Sequence, residues 1–227
     1  MLILKTIVGV LFQIGLVALM LLWPAGDWPW KEGLIYLVFH ATIVMSGSLY
    51  LCIFHPKSVE ARLTARDPNQ PVRDKIAFAI LITVSVFTFT LNPLDVFHFQ
   101  IFPKPSFGLQ LLGAGACATS YIFLFVTMIQ NEFAQPIVNV QEDRGHVLVD
   151  SGLYASVRHP MYSFYLTAMS GMALWLGSIF TATVGTLLLL LALLPRILVE
   201  EDTLKNDLDG YADYMERVPY RLIPKVF

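Results

Sequence analysis

The sequence predicts an all-α, polytopic integral membrane helical bundle of about six transmembrane segments. The last two form a short helical hairpin, and a cytoplasmic C-terminal helical tail follows. Three observations predict it. The 227 residues are 56% apolar and only 14% charged, against ~45–50% and ~25% in average soluble chains. Six stretches (7–23, 34–54, 76–94, 107–129, 162–176 and 179–194) hold 111 residues and none of the 32 Asp, Glu, Lys and Arg side chains. The basic residues between them gather on alternate loops. Such continuous runs exclude a β-barrel, whose strands alternate apolar and polar positions.

A spanning helix needs ~20 mainly apolar residues at ~1.5 Å rise each, and the first four stretches meet or approach that length. The first follows Lys5, as a signal peptide would. It is long, however, and Trp23-Pro24-Ala25-Gly26-Asp27-Trp28 offers no small-x-small cleavage site, so an uncleaved span is expected. Trp23, Trp28 and Trp30 cluster at the first external turn, as interfacial aromatics do. After the second span, 62–75 (RLTARDPNQPVRDK) reads as an irregular loop with two turn-forming prolines. The third and fourth spans are punctuated by Pro93, Pro103 and Pro105. Within the fourth, Gly113-Ala114-Gly115-Ala116 lets a neighbouring helix, or a flat ligand, approach the backbone closely. The last two stretches reach only ~22–24 Å each, so Gly177-Ser178 turns short of the far surface.

With six crossings, thirteen basic residues fall on one side: Lys5, Lys57, Arg62, Arg66, Arg73, Lys75, Arg144, Arg158, Arg196, Lys205, Arg217, Arg221 and Lys225. Lys31 and Lys104 fall on the other. The bias places both termini and the even-numbered loops in the cytoplasm. A formal net charge of −2 argues against nucleic-acid binding. Cys52 and Cys117 lie inside apolar segments as small buried hydrophobes, not a bridge. Gln13 and His40 stand alone in apolar spans and His98 in an external loop; no spacing suggests a metal site. No phosphate loop, Ser-x-x-Lys or Cys-x-x-Cys is present. One membrane domain is expected, with N-terminal helices over 1–106 and the functional core over 107–227.

Two polar regions, 131–160 and 195–227, exceed what spanning requires. In the first, Gly145-His146 turns into a short extended piece, Val147-Leu148-Val149, and Asp150-Ser151-Gly152 turns again. Arg158-His159-Pro160 then opens the fifth helix, where proline at the first position is favoured. Two imidazoles, a guanidinium and the phenols of Tyr154 and Tyr162 thus meet a helix N-terminus, a setting suited to an anionic ligand. Snorkelling of Arg and Tyr around a helix end is the alternative. In the second region Arg196 and Glu200 lie four apart on one helix face. Charges within the bilayer cost ~2.5–3.5 kcal/mol on insertion scales, whereas a pair in this order returns only ~0.2–0.5 kcal/mol. A shared polar site explains them better than an isolated pair.

Taken together, G-H-x-L-V-x-S-G-x-Y-x-x-x-R-H-P-x-Y (Gly145 to Tyr162), R-x-x-x-E-E (Arg196 to Glu201) and the Tyr211–Pro224 run resemble the isoprenylcysteine carboxyl methyltransferase family and its phospholipid N-methyltransferase relatives. The resemblance covers 107–227. It implies an integral-membrane enzyme that uses S-adenosyl-L-methionine without a soluble Rossmann domain. It also implies a lipophilic or lipid-like acceptor drawn from the membrane. By the resemblance, Gln141, His146, Val147, Leu148, Val149, Tyr154, His159, Pro160, Met161, Tyr162 and Glu200 match cofactor-contacting positions, and Arg196 matches the arginine that engages the substrate carboxylate. Gly113 and Gly115 match the G-x-G of the phospholipid enzymes. Gly177-Ser178 stands where the carboxyl methyltransferases often have Asn-Pro. The expected activity is methyl transfer to a carboxylate. The alternatives are an amine head group, or a non-catalytic assembly or transport protein on the same scaffold.

Overall fold

In the computed structural model of the chain, residues 1–26, 29–63 and 70–227 are described. Trp28 of the expected aromatic cluster, and Arg66 and Pro68 of the expected loop, lie outside them. The helices are α1 (Leu2–Ala25), α2 (Lys31–Phe54), α3 (Pro56–Leu63), α4 (Val72–Leu94), α5 (Phe107–Gln130), α6 (Pro160–Trp175), α7 (Thr186–Asp207) and α8 (Tyr211–Arg217). A π-helical turn, Asp95–Phe99, extends α4, and another, Thr181–Gly185, leads into α7. Among the described residues five helical stretches are long and apolar enough to cross a membrane: Leu2–Ala25, Lys31–Phe54, Val72–Phe99, Phe107–Gln130 and Thr181–Asp207. The protein is therefore a polytopic helical membrane bundle, as the charge-free stretches predict, with five such stretches where about six are expected, the fifth expected span (α6) being too short to count among them. Large apolar side chains such as Leu4, Phe12, Leu19, Val38 and Leu112 remain exposed along these helices, as lipid-facing positions do.

The hairpin is less even than expected. At 16 residues α6 spans only ~24 Å, whereas its partner runs 27 residues, Thr181–Asp207. The charges that end the apolar run do not end the helix, because neighbouring segments satisfy them laterally. The turn at Gly177-Ser178 is where the sequence puts it. Gly177 takes φ 105°, a conformation open to glycine without strain. The Ser178 hydroxyl donates to Asp95 Oδ2 at 2.6 Å and accepts from the Thr181 N–H at 2.8 Å.

Close backbone approach joins α5 to α6. A Cβ on Gly113 would lie 2.8 Å from the Gly171 carbonyl oxygen, and one on Gly171 would lie 2.7 Å from that of Gly113. Gly113 thus serves helix packing, while a Cβ on Gly115 meets nothing within 4 Å. α4 packs on α7, and α1 packs on α2 and α4. Gln13 and His40, each expected to stand alone, in fact bond to each other at 3.3 Å, and His40 Nδ1 lies 2.8 Å from the Tyr121 hydroxyl. Apolar periodicity shows neither partner, since they come from three helices. Both cysteines are free and buried.

Between α5 and α6 the chain is irregular, with short 3-10 turns at Glu142–Arg144 and Gly152–Ala155. The expected extended piece 147–149 is coil without a pairing partner among the described residues. It is held instead by side-chain packing: Leu148 joins a cluster with Leu208, Tyr211, Tyr214 and Val218 from the tail. The Tyr214 hydroxyl donates to the Tyr154 carbonyl at 2.7 Å.

Candidate active site

Proline at the first position of α6 keeps the residue before it out of the helix; His159 takes φ −124° and ψ 61°, and the C-terminal tail pairs with Arg158 and His159. The Arg158 N–H donates to the Tyr220 carbonyl and the His159 N–H to the Arg221 carbonyl, both at 2.9 Å. The Ser163 hydroxyl adds a 2.6 Å bond to the Leu222 carbonyl. This clasp carries a buried ionic cluster centred on Glu201. One of its carboxylate oxygens accepts from Arg158 Nε at 2.7 Å and His159 Nε2 at 3.2 Å, and the other accepts from Arg221 Nε and Nη2 at 3.0 and 2.9 Å. Arg158 spends a further donor on the Val218 carbonyl at 2.6 Å. Opposed charges with every contact short are what a buried carboxylate requires. Glu201 therefore builds the site, while Glu200, one step round the helix, faces the cavity.

A second cluster lies beside the first. Tyr162 donates its hydroxyl to Glu200 Oε2 at 2.7 Å and accepts from Arg196 Nε at 3.4 Å. His159 Nδ1 lies 3.9 Å from Glu200 Oε1, and its ring stacks on Tyr162 with centroids 5.5 Å apart. The described residues hold no direct Arg196–Glu200 ion pair; Tyr162 stands between the two. Arg196, only 2% exposed, ion-pairs instead with Asp74 of α4 and donates Nη2 to the Pro136 carbonyl at 2.7 Å. Asp74 is fully buried. Its other oxygen accepts from Gln70 Nε2 at 2.6 Å and the Val138 N–H at 3.0 Å. Each of the three Arg196 nitrogens thus has a partner within its own chain.

Arg158, His159, Tyr162, Arg196 and Glu200 of these clusters border a cavity of about 270 Å³, just below the ~300–1,000 Å³ typical of ligand clefts. Of the residues singled out in the sequence, His146, Tyr154, His159, Met161, Tyr162, Arg196 and Glu200 line it. The others do not. Val147 is 62% exposed, Leu148 packs into the tail cluster, and Pro160 is buried at the start of α6. Val149 is not in the cavity wall. Gln141 lies behind the wall, its amide donating to the Phe133 carbonyl at 2.6 Å. Its N–H donates to His146 Nδ1 at 3.3 Å, which fixes that imidazole as an acceptor. The His146 ring stacks on Phe133 at 4.4 Å between centroids. Burial, helped by the Arg144 charge, lowers its pKa to about 4, so it is neutral at pH 7. Burial pushes the Tyr154 phenol up to about 12.

Sequence reasoning singled out the region 131–160 but none of the individual residues of one wall within it. The segment 131–139 supplies Asn131, Phe133, Pro136 and Asn139 to the cavity. Its only signal was a polar, proline-broken run after a span. Asp74 was hidden because it sits between Arg73 and Lys75, where it reads as one more flanking charge. The donors and acceptors fit a zwitterionic, ring-bearing ligand: Glu200 and the unpartnered Asn139 Oδ1 accept, and aromatic faces lie alongside.

The profile of the isoprenylcysteine carboxyl methyltransferase (ICMT) family matches residues 106–206. Over 125 residues the chain is 29% identical to the protein-S-isoprenylcysteine O-methyltransferase of Schizosaccharomyces pombe. That match covers 54% of this chain and 50% of the fission-yeast protein, so the chain spans about half the length of the curated relative it matches. The matched segment contributes all of the cavity's wall except Arg62, Phe78 and Leu81. Residues 106–206, which supply the α6 and α7 arms of both buried ionic clusters, are thus similar to the isoprenylcysteine carboxyl methyltransferase family.

Proposed function

We propose that this protein is an integral-membrane methyltransferase. It takes S-adenosyl-L-methionine from the cytoplasm and methylates the carboxylate of a lipophilic, isoprenylcysteine-like acceptor. The observation that carries the reading is the convergence of His159, Tyr162 and Glu200 on one cavity within the segment that matches the family. Glu200 and Asn139 accept from the cofactor's amino and hydroxyl groups, where an ionised acceptor makes strong hydrogen bonds. Neutral His146, stacked on Phe133, gives the adenine an aromatic wall. Gln141 and Pro160 act from behind, fixing His146 and the start of α6. Arg196 keeps Tyr162 in register with Glu200 and contributes positive potential where a carboxylate approaches.

When bound, the cofactor would supply a sulfonium methyl group, whose transfer to an acceptor oxygen would form a C–O bond as the C–S bond breaks and leave the electron pair on a neutral sulfur. A carboxylate acceptor needs no base and its leaving group needs no acid. The protein's task is therefore orientation and exclusion of water. The ionic clusters, closed by their own hydrogen bonds, form a stiff frame for that. Membrane lipid surrounds the apolar helices and delivers the acceptor laterally. No metal or nucleic acid enters this scheme.

The test is transfer of a radiolabelled methyl group from the cofactor into a membrane extract, with identification of the labelled product. A base-labile ester is expected, formed at a rate nearly independent of pH above the acceptor's pKa. A rate that climbs with pH, together with a base-stable product, would instead mark an amine acceptor, since an amine must be neutral to attack. Absence of cofactor binding at high micromolar concentration would sink the enzyme reading.

A further inference from the structure

Arg62, on α3, lines the site but is not used by it. Its Nη1 donates to the Ser58 carbonyl at 3.0 Å and to the Ser58 hydroxyl. Its Nη2 is buried and has no hydrogen-bond partner among the described residues. Among the described residues no carboxylate pairs with it, whereas Arg158, Arg196 and Arg221 each hold one. A desolvated guanidinium nitrogen without a partner is costly, and an anion relieves that cost. Burial accordingly lowers the Arg62 pKa to about 10.

The position of Arg62 says what kind of anion. Arg62 and Met128 line both the cavity described above and a second cavity of about 360 Å³ between α1, α2, α3 and α5. Val10, Val44, Leu51, Val59, Leu124 and Phe125 make that second wall largely apolar. Of its polar members, Gln13 and Tyr121 are already bonded to His40 and Thr6 to the Leu2 carbonyl, while Ser48 adds one small hydroxyl. At Gly9, which also lines it, an added Cβ would meet nothing within 4 Å. A molecule with a long apolar body and one anionic end matches these two spaces and the cation at their junction. Arg196, the other candidate, already spends its fork on Asp74 and Pro136.

We propose that Arg62 receives the acceptor's carboxylate at the junction of the two cavities, with the acceptor's apolar chain lying between α1, α2 and α5. The planar guanidinium suits a carboxylate, and the adjoining cavity holds the methyl donor's candidate ligands. This rests on the methyltransferase reading and adds to it a residue and an entry route in the N-terminal helices, outside the family-matched segment.

The test uses the full chain in detergent and three probes titrated separately. These are an N-acetylcysteine carrying an isoprenoid chain on sulfur, its carboxamide, and S-adenosylhomocysteine. Arg62→Gln is expected to weaken the acid probe ~10-fold or more, the scale of a lost hydrogen bond to a charged group. The carboxamide and S-adenosylhomocysteine should stay within about twofold, which also shows that the variant folds. Gly9→Leu should weaken acid and amide alike and spare S-adenosylhomocysteine. Unchanged acid binding in Arg62→Gln overturns the assignment alone. Selective loss of S-adenosylhomocysteine in that variant also overturns it, because Arg62 would then serve the cofactor's carboxylate. Cofactor-product binding with neither acceptor probe bound by the wild type overturns the carboxylate-acceptor reading and this inference together.

Discussion

Arg196 has its charge balanced from 122 residues away, by Asp74, and not by the glutamate one turn along its own helix. That has a measurable result. Removing one member of a buried ion pair strands the other, at a cost of ~3–5 kcal/mol. Arg196→Ala should therefore lower stability in detergent by about that much, and its loss of activity will not report on the acceptor alone. Arg196→Met combined with Asp74→Leu should recover much of the deficit; a double variant as unstable as the sum of its singles would show that the pair is not the cause. His146 gives a pH signature. Burial holds its pKa in the folded protein at about 4, below the ordinary imidazole value of 6.5. Its contribution is then complete above the unfolded value and is lost as pH falls toward the folded one, because only the unfolded state takes up the proton. Thermal melts between pH 7 and pH 5 should show a slope that His146→Gln reduces, and an equal slope in both proteins would contradict this.

Helices differ in how much of their placement can be read from the chain. The long spans follow from runs without charge, because the bilayer excludes unpaired charge whatever the tertiary structure. The R-H-P-x-Y start of α6 and the Arg196–Glu201 foot of α7 are legible as a pair because their spacing is characteristic. Lateral partners are not: Asp74, Phe133, Asn139 and Arg62 acquire meaning only when α3, α4 and the 131–139 segment close around the cavity. The same holds for α7, whose apolar run ends at 194 but whose helix continues to Asp207 because Arg196 and Glu201 are satisfied by other elements. The α5–α6 contact can be tested directly. Gly113→Ala forces a Cβ to within 2.7–2.9 Å of Leu174, Gly171 and Trp175 atoms, and should destabilise by ~1–3 kcal/mol. Gly115→Ala meets open space and should be near neutral, as detergent melts of both would show. Equal effects would mean that α5 and α6 do not rely on this approach.

For the molecule as a whole, the thirteen-to-two division of basic residues predicts a sidedness that labelling can check. Since Cys52 and Cys117 are buried, a cysteine placed at Lys225 should react with an impermeant thiol reagent only after the cytoplasmic side is opened. One placed at Lys104 should react from outside. Both reacting from one face would invert or break the proposed topology. The tail clasp matters most for anyone who handles the protein. The Phe227 carbonyl accepts from the Leu222 and Ile223 N–H groups, and Arg221 neutralises a carboxylate shared with Arg158 and His159. The final stretch is thus a keystone and not a trailing end, so shortening it to ease purification would unlock the vault it closes.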